Sequence, residues 1–558
     1  MILNKISFEN VSCKYRRTKE PQIFDINFEI KEGDLTLLSG PSGSGKSTLT
    51  LLINGIIPHH SRAVVNGSIN VFGKNPLKEK VANMASLVGM LLQDPESQLA
   101  TSRVKDEIIL TLEFQGKSRK EIDTELAYLL DRFDLRDYAE ADSTRMSGGE
   151  KQLVALAAMI SLDPKIIILD EPTSNLDPYN TSKVLDHVAS FKKEGKTIIL
   201  IEHKINEVFN HCRPDQIILM HNGTIVDQGS PRSIFHRKSL ERIGLHPPRI
   251  YDYCSKITLT PEQQNNLPYS FPELKKFIPI LSIEQKSQLI QFLKKTSRIN
   301  LITDQKLIDF NDLSFKYRNQ AYSALENITS SINKGEFIAI VGNNGAGKST
   351  LVKHVIGLIK PETGNIVIDG INSRKLTAAK LAHKVAFLFQ NPDYQLFNAS
   401  VIKEVAYGAR NCGMKREEAN EKARKSIKEV KLEQYTEGDP LKLSMGQKQR
   451  VAVASALTMN PEVYVLDEPT TGQDPTSLKG IMELMLNEYQ ESNATIILVT
   501  HDMDLVDSVA NRVLAMNKGK IIGDNLTDII FSNQNLLDQC NLQPPIRLKM
   551  LSLIQHCL

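Results

Sequence analysis

Four short runs of uninterrupted apolar residues stand out along the chain. Ile166-Ile167-Ile168-Leu169 and Ile198-Ile199-Leu200-Ile201 lie in the first half, Val463-Tyr464-Val465-Leu466 and Ile496-Ile497-Leu498-Val499 in the second. Runs this short, apolar at every position, suit strands buried on both faces of a parallel sheet. Other segments alternate: Ile23 to Ile30 before Leu35 to Leu38, and Leu325 to Ile332 before Phe337 to Val341. Alternation predicts strands with one face on a core. The N-terminal residues 1–10 alternate as well. Residues of about 105 to 160 and 401 to 459 read as long helical stretches. His221-Asn222-Gly223-Thr224 and Asn517-Lys518-Gly519-Lys520 read as late hairpin turns. The predicted class is α/β, with a mixed sheet core, an antiparallel β edge and an inserted helical subdomain in each half.

The halves are copies. Gly40-Pro41-Ser42-Gly43-Ser44-Gly45-Lys46-Ser47-Thr48 returns as Gly342-Asn343-Asn344-Gly345-Ala346-Gly347-Lys348-Ser349-Thr350. Leu169-Asp170-Glu171-Pro172-Thr173 returns at 466–470, Gln93 as Gln390, Ser147 as Ser444 and His203 as His501. Order and spacing are kept, so one module is used twice. The expected division is a first module over 1–250, a connector over 251–303, and a second module over 304–558 with a C-terminal helical tail. Residues 251–300 carry seven Lys and Arg against four Asp and Glu, so the connector is not a basic arm. Within it, Leu281 to Thr296 reads as one amphipathic helix.

Composition narrows the class. Among 558 residues, 41% are hydrophobic and 24% charged, with a net charge of +3. That excludes a disordered or collagen-like chain and disfavours a wholesale nucleic-acid binder. The longest apolar runs, such as Ala85 to Leu92, are far shorter than the roughly 20 residues a spanning helix needs. No signal-peptide layout opens the chain. The six cysteines are scattered, with no C-x-x-C pair, which favours reduced thiols in a cytosolic protein. A membrane role would therefore need a partner to supply the membrane part.

Both Gly-rich segments fit G-x-x-x-x-G-K-[ST], each after an apolar strand and before a helix. Glycines let backbone N–H groups curl around phosphate oxygens, and the following helix adds its positive end. Lys46 and Lys348 are placed to reach β- and γ-phosphates, Ser47 and Ser349 to hold Mg²⁺. Asp170 and Asp467 each close a buried strand, where a carboxylate can fix Mg²⁺. Glu171 and Glu468 come next and are aimed differently, as bases that polarise an attacking water. His203 and His501 follow the next buried strand as γ-phosphate contacts. Gln93 and Gln390 end another strand, where an amide can ligate Mg²⁺ and orient water.

Arg145-Met146-Ser147-Gly148-Gly149-Glu150-Lys151-Gln152 and Leu443-Ser444-Met445-Gly446-Gln447-Lys448-Gln449-Arg450 resemble the signature motif of ABC-type ATPases. With the other motifs, the resemblance covers both modules. It implies tandem P-loop ABC ATPase modules that sandwich two ATPs head to tail. One site would combine Lys46, Asp170, Glu171 and His203 with Ser444, Gly446 and Gln447. The other would combine Lys348, Asp467, Glu468 and His501 with Ser147, Gly148 and Gly149. Asp177 and Asp474 would lie at the module interface, and Tyr15 and Tyr317 would stack on adenine. Three positions depart from the family pattern: Met445 for Gly, Glu150 for Gln, and Gln473 for an apolar residue. A Met there would crowd close approach to phosphate, which implies a site at Lys46 that is slower or holds ATP longer. Both Glu and both His are present, so both sites are expected to hydrolyse ATP.

Gln93-Asp94-Pro95-Glu96-Ser97-Gln98-Leu99 and Gln390-Asn391-Pro392-Asp393-Tyr394-Gln395-Leu396-Phe397 resemble a segment of energy-coupling-factor vitamin importers. There a short helix after the Gln loop receives coupling helices of the membrane component. Asp94, Glu96 and Asp393 would meet basic residues on those helices, and Ile108 and Phe397 would give apolar contact. Gly244-Leu245-His246-Pro247-Pro248 and Asn541-Leu542-Gln543-Pro544-Pro545 resemble the C-terminal region of the same subfamily. The resemblance implies a peripheral ATPase on the cytoplasmic face of the membrane, using ATP and Mg²⁺. Its partners would be an integral membrane component and a substrate-binding membrane protein, with no nucleic acid. A sugar-type ABC importer and a soluble tandem ATPase acting on ribosomes or nucleic acid are the alternatives.

Overall fold

The computed structural model describes residues 5–557 except 17, 19, 144–145, 175, 295–303, 319–321 and 471–474. The chain forms two compact units. The first holds Met1–Ser255 and Thr260–Phe277, the second Lys256–Leu259 and Ile278–Leu558.

In the first unit the strands are β1 (Lys5–Tyr15), β2 (Ile23–Lys31), β3 (Leu35–Ser39), β4 (Ala63–Val71), β5 (Val88–Leu91), β6 (Ile166–Asp170), β7 (Thr197–Ile201), β8 (Gln216–His221) and β9 (Thr224–Gly229). An antiparallel sheet runs β2-β1-β4, and a six-stranded sheet runs β5-β6-β7-β3-β8-β9. Only β9 is antiparallel in the larger sheet. The bare apolar runs predicted as doubly buried strands are β6 and β7, and every residue of β3, β6 and β7 is buried. In β2, Ile23, Ile26, Phe28 and Ile30 face inward. A bulge against β1 and a left-handed Asp25 (φ 52°) reset the alternation between Ile23 and Ile26.

The second unit repeats the plan with β10 (Lys306–Phe315), β11 (Leu325–Asn333), β12 (Phe337–Val341), β13 (Thr363–Ile368), β14 (Ile371–Asn372), β15 (Val385–Leu388), β16 (Val463–Asp467), β17 (Thr495–Val499), β18 (Arg512–Asn517) and β19 (Lys520–Leu526). Its sheets run β11-β10-β13-β14 and β15-β16-β17-β12-β18-β19. Both expected hairpins form with two-residue turns in left-handed conformation, Asn222-Gly223 and Lys518-Gly519.

The helical stretches are interrupted where the apolar pattern alone ran on. Helices Val104–Phe114, Arg119–Arg132 and Gly148–Ile160 replace the first, and Val401–Asn411, Arg416–Glu429 and Met445–Met459 the second. Left-handed breaks at Gly116 and Asp134, and at Gly413 and Lys431, separate them. The connector is helical, and each helix packs on one unit. Phe271–Phe277 belongs to the first unit, where the Phe271 N–H donates to Asn210 Oδ1 (2.9 Å). Ile283–Lys294 belongs to the second, where buried Arg547 of the tail donates to the Leu293 carbonyl (2.9 Å) and pairs with Asp507 (2.6 Å). The two Pro-Pro turns lead into equivalent anchors. Arg249 N–H donates to Asn206 Oδ1 (2.8 Å), and Ile546 N–H to Asp504 Oδ1 (2.8 Å).

Candidate nucleotide sites

In both modules the Gly-rich loop joins a fully buried strand, β3 or β12, to a helix, Lys46–Ile53 or Lys348–Val355. Gly40 and Gly342 allow the loop to press on the sheet: a Cβ there would sit 2.1 Å from the Met220 carbonyl oxygen, or 2.2 Å from that of Met516. Gly43 and Gly345 have open space and positive φ (79° and 78°), so conformation rather than crowding requires glycine. Gly45 and Gly347 cap the helices without a side-chain hydrogen bond. The first-turn N–H groups are thus left for an anion. Lys46 Nζ donates to the Gly40 and Pro41 carbonyls (2.8 and 3.0 Å), and Lys348 Nζ to those of Gly342 and Asn343 (2.7 and 3.0 Å).

Around each loop the carboxyl edge of the sheet supplies acids. Ser349 Oγ donates to Asp467 Oδ1 (3.2 Å), and the Ser47 hydroxyl stands beside Asp170. Burial raises both aspartates, with the neighbouring glutamate charge adding to it and the serine hydroxyl opposing it, and Asp467 reaches about 6. Glu171 and Glu468 adopt left-handed backbone (φ 48° and 52°), and their N–H groups donate to the Ile201 and Val499 carbonyls (3.0 and 2.8 Å). No sequence signal marked that strain, which turns each carboxylate away from the strand.

The expected Gln and His come to these glutamates, but differently. Gln93, two residues beyond β5, donates from Nε2 to Glu171 Oε2 (2.7 Å), and His203 Nε2 lies 3.2 Å from Glu171 Oε1. Burial pushes the Glu171 carboxyl up, but His203, Lys46 and Gln93 together bring it below the usual range. His501 approaches Glu468 through Nδ1 (2.9 Å), and Glu468 Oε2 is buried with no hydrogen-bond partner among the described residues. Among the described residues no hydrogen bond joins Gln390 to Glu468. Tyr15 and Tyr317 stand beside the loops, their hydroxyls 3.3 and 3.4 Å from Thr48 and Thr350 Oγ1.

Ser147 and Ser444 cap helices Gly148–Ile160 and Met445–Met459 through complete capping boxes with Glu150 and Gln447. The departures from the family pattern therefore have local roles. Glu150 closes its box as Gln447 does. Met445 is 41% exposed, and at its counterpart, Gly148, an added Cβ would have nothing within 4 Å. Gly149 is different: a Cβ there would meet the Asn180 side chain at 2.8 Å. Asp177 caps Pro178–Lys193 by accepting from Asn180 N–H (2.8 Å). Asp474 and Gln473 lie outside the described residues.

The segments after Gln93 and Gln390 form short 3₁₀ turns, Pro95–Ser97 and Pro392–Tyr394. Three expectations about them change. Glu96 pairs with Lys151, and Asp393 with Lys448 (2.6 Å), both lysines on the signature helix of the same module. Asp94 caps its turn by accepting from Glu96 N–H (3.1 Å). Ile108 is fully buried in the helical subdomain and offers no outer contact, whereas Phe397 is 62% exposed. Helix periodicity identifies Ile108 as apolar but not which way its face turns.

Comparison with known proteins agrees with this geometry. The sequence profile of the ABC transporter family matches residues 23–174 and 325–471. The chain belongs to the ABC transporter family. It is 35% identical over 97% of its length to a protein of Methanosarcina mazei described as an ABC transporter ATP-binding protein, covering 92% of that relative. A second relative so described, from Caldanaerobacter subterraneus, is 34% identical over 97% of the chain and 95% of its own length. The chain is also similar to cbiO1 of Clostridium perfringens, part of the ABC transporter complex cbiONQ, at 34% identity over 43% of this chain and 95% of that one (TM-score 0.38). As an ABC protein with two such modules, the chain binds and hydrolyses ATP. Membership as an ABC transporter ATP-binding component implies membrane partners. Among the described residues no helix is long and apolar enough to cross a membrane.

Proposed function

We propose that the protein is the fused ATPase of an energy-coupling-factor type importer, lying peripherally on the cytoplasmic face of the membrane. Its modules, 1–250 and 304–558, would close head to tail on two ATPs, with 251–303 as connector and Asp177 and Asp474 at the interface. Gly40–Thr48 and Gly342–Thr350 hold the phosphates, and Tyr15 and Tyr317 face the adenines. Ser444, Gly446 and Gln447 complete the site at Lys46, and Ser147, Gly148 and Gly149 the site at Lys348. The uncapped helix starts support the phosphate role.

Mg²⁺ fits the donors present. Ser47, Gln93 and Asp170, and Ser349, Gln390 and Asp467, offer one carboxylate per site, which suits an ion that keeps waters and phosphate oxygens. A buried aspartate raised to about 6, and a buried Glu468 oxygen with no partner among the described residues, are groups a bound cation and its water would satisfy. When bound, Mg²⁺ would neutralise charge developing on the phosphates. Glu171 and Glu468 accept the proton of the attacking water. His203 and His501 hold those carboxylates from the side of the γ-phosphate, and Gln93 fixes Glu171 from the other side.

The observation that carries the importer reading is the turn after each Gln loop. In the second module it exposes Tyr394 (79%) beside Phe397, which packs edge-on against Tyr407 (4.9 Å). Those rings give coupling helices of a membrane component an apolar seat. Tagged protein from detergent-solubilised native membranes tests this. Recovery of a multi-spanning protein with a substrate-binding membrane protein is expected. Recovery of ribosomes, or of the protein alone at every salt concentration, overturns the importer reading.

A further inference from the structure

The segment that leaves Glu171 runs from Pro172 to Asp177 and ends at the cap of helix Pro178–Lys193. In the first module it is tied down by the two residues flanking His203. The Glu202 carboxylate is 2% exposed. It accepts from Thr173 Oγ1 (2.5 Å), from His203 N–H (2.8 Å) and from Lys204 N–H (3.2 Å). Lys204 Nζ crosses to the same segment and donates to the carbonyls of Thr173 (2.8 Å) and Leu176 (3.1 Å) and to Thr181 Oγ1 (3.2 Å). An ammonium on two carbonyls and a hydroxyl fills its three donors. A buried carboxylate with three donors is likewise well satisfied.

The second module has neither of these two side chains. Thr500 and Asp502 stand at the equivalent positions around His501. Asp502 turns to its own helix, accepting from Leu505 N–H (2.9 Å), while its N–H donates to Thr500 Oγ1 (3.1 Å). Among the described residues neither reaches the segment after Glu468. Helix Ile205–His211, by contrast, starts at Lys204 with no side-chain cap. A capping side chain would normally satisfy one of the orphan N–H groups at such a start. In the first module this position gives up a helix cap and holds a loop instead.

We propose that Glu202 and Lys204 are positioning residues for hydrolysis in the first module, a clamp that fixes His203 and the Pro172–Asp177 segment on either side of Glu171. Neither touches the reacting atoms. The inference rests on Glu171 serving as the base. With both flanks held, the Glu171–His203 contact (3.2 Å) is preset before nucleotide arrives. The second module holds its own contact, His501 Nδ1 to Glu468 (2.9 Å), without this pair of side chains, so loss of the clamp is expected to act on the first site alone, and on the chemical step rather than on ATP affinity.

The test is ATP turnover by the full-length protein with Mg²⁺, in wild type, Lys204→Met and Lys204→Arg. It is combined with vanadate trapping of azido-ADP, located to the first or second module by mass spectrometry. Lys204→Met is expected to lower kcat at least about twofold with KM for ATP unchanged, and to cut label in the first module at least about fivefold. Label in the second module is retained, and Lys204→Arg restores most of the loss. Equal loss of label from both modules, or full trapping in the first, overturns the clamp. If Lys204→Met does not fold, Glu202→Gln takes its place with the same expected pattern. If Glu171→Gln leaves trapping in the first module intact, Glu171 is not the base and the clamp falls with it. No membrane partner enters the measurement, so failure of the importer reading leaves it decisive.

Discussion

The two modules share a fold, a loop and a pair of acids, yet each glutamate is held in its own way. Glu171 has both oxygens engaged, by Gln93 and His203. Among the described residues Glu468 meets only His501, through the other ring nitrogen, and keeps a buried oxygen without a partner. The outer surfaces diverge as well. Tyr394, Phe397 and Tyr407 in the second module correspond to Ser97, Ala100 and Leu110 in the first. On the proposed reading, the duplicated modules keep the residues assigned to nucleotide and vary those around the glutamate and on the outer face. Glu171 is the better held of the two glutamates, and the second module has the more apolar outer face.

The contrast between the modules is tested most severely at the bases. Glu171→Gln and Glu468→Gln are each expected to lose most ATPase activity, at least about tenfold in steady-state turnover. Full rate in either variant would show that one module carries hydrolysis alone. Next come the loops. Gly40→Ala and Gly342→Ala place a methyl on a carbonyl oxygen and should each cost about 3 kcal/mol or more. Gly43→Ala and Gly345→Ala meet open space and should cost about 1 kcal/mol through positive φ alone. Thermal melting of the four variants checks the ranking. If all four melt alike, crowding by the sheet is not what requires glycine.

At the membrane, Phe397→Ala should reduce co-purification of partners severalfold, and Ala100→Ser should leave it unchanged; equal losses would erase the difference between the two surfaces. Asp467→Asn works in the opposite direction from most site substitutions. Burial holds this carboxyl at about 6, above its unfolded value, so its charge costs stability above that pH and the cost disappears as the pH falls toward 4. The amide should therefore raise the melting temperature at pH 7.5 without nucleotide or Mg²⁺, by a few degrees, while abolishing turnover. The smallest effect is expected at Met445. This side chain is exposed, and a Cβ at its counterpart Gly148 would meet nothing within 4 Å, so Met445→Gly should shift stability by under about 1 kcal/mol. Turnover rises in that variant if the methionine obstructs phosphate in the opposite module.

The sequence alone determined the class, the duplication and the chemistry-bearing positions. Bare apolar runs suited doubly buried strands, and two Gly-rich loops at matching offsets, each followed by Asp-Glu and His, left little freedom in what they bind. These signals are local: a period, a turn or a motif is written in adjacent residues. Only the tertiary structure decided what the side chains do with one another. Ile108 is apolar in the sequence, and its burial follows from how three helices pack. Glu96 and Asp393 are acidic turn residues in the sequence, and their pairing with Lys151 and Lys448 joins segments 55 residues apart. The left-handed backbone at Glu171 and Glu468, and the reach of Lys204 across to Thr173 and Leu176, depend on where β7 and the following loop bring the chain. Such contacts are set by distance in space, which no local pattern of residues encodes.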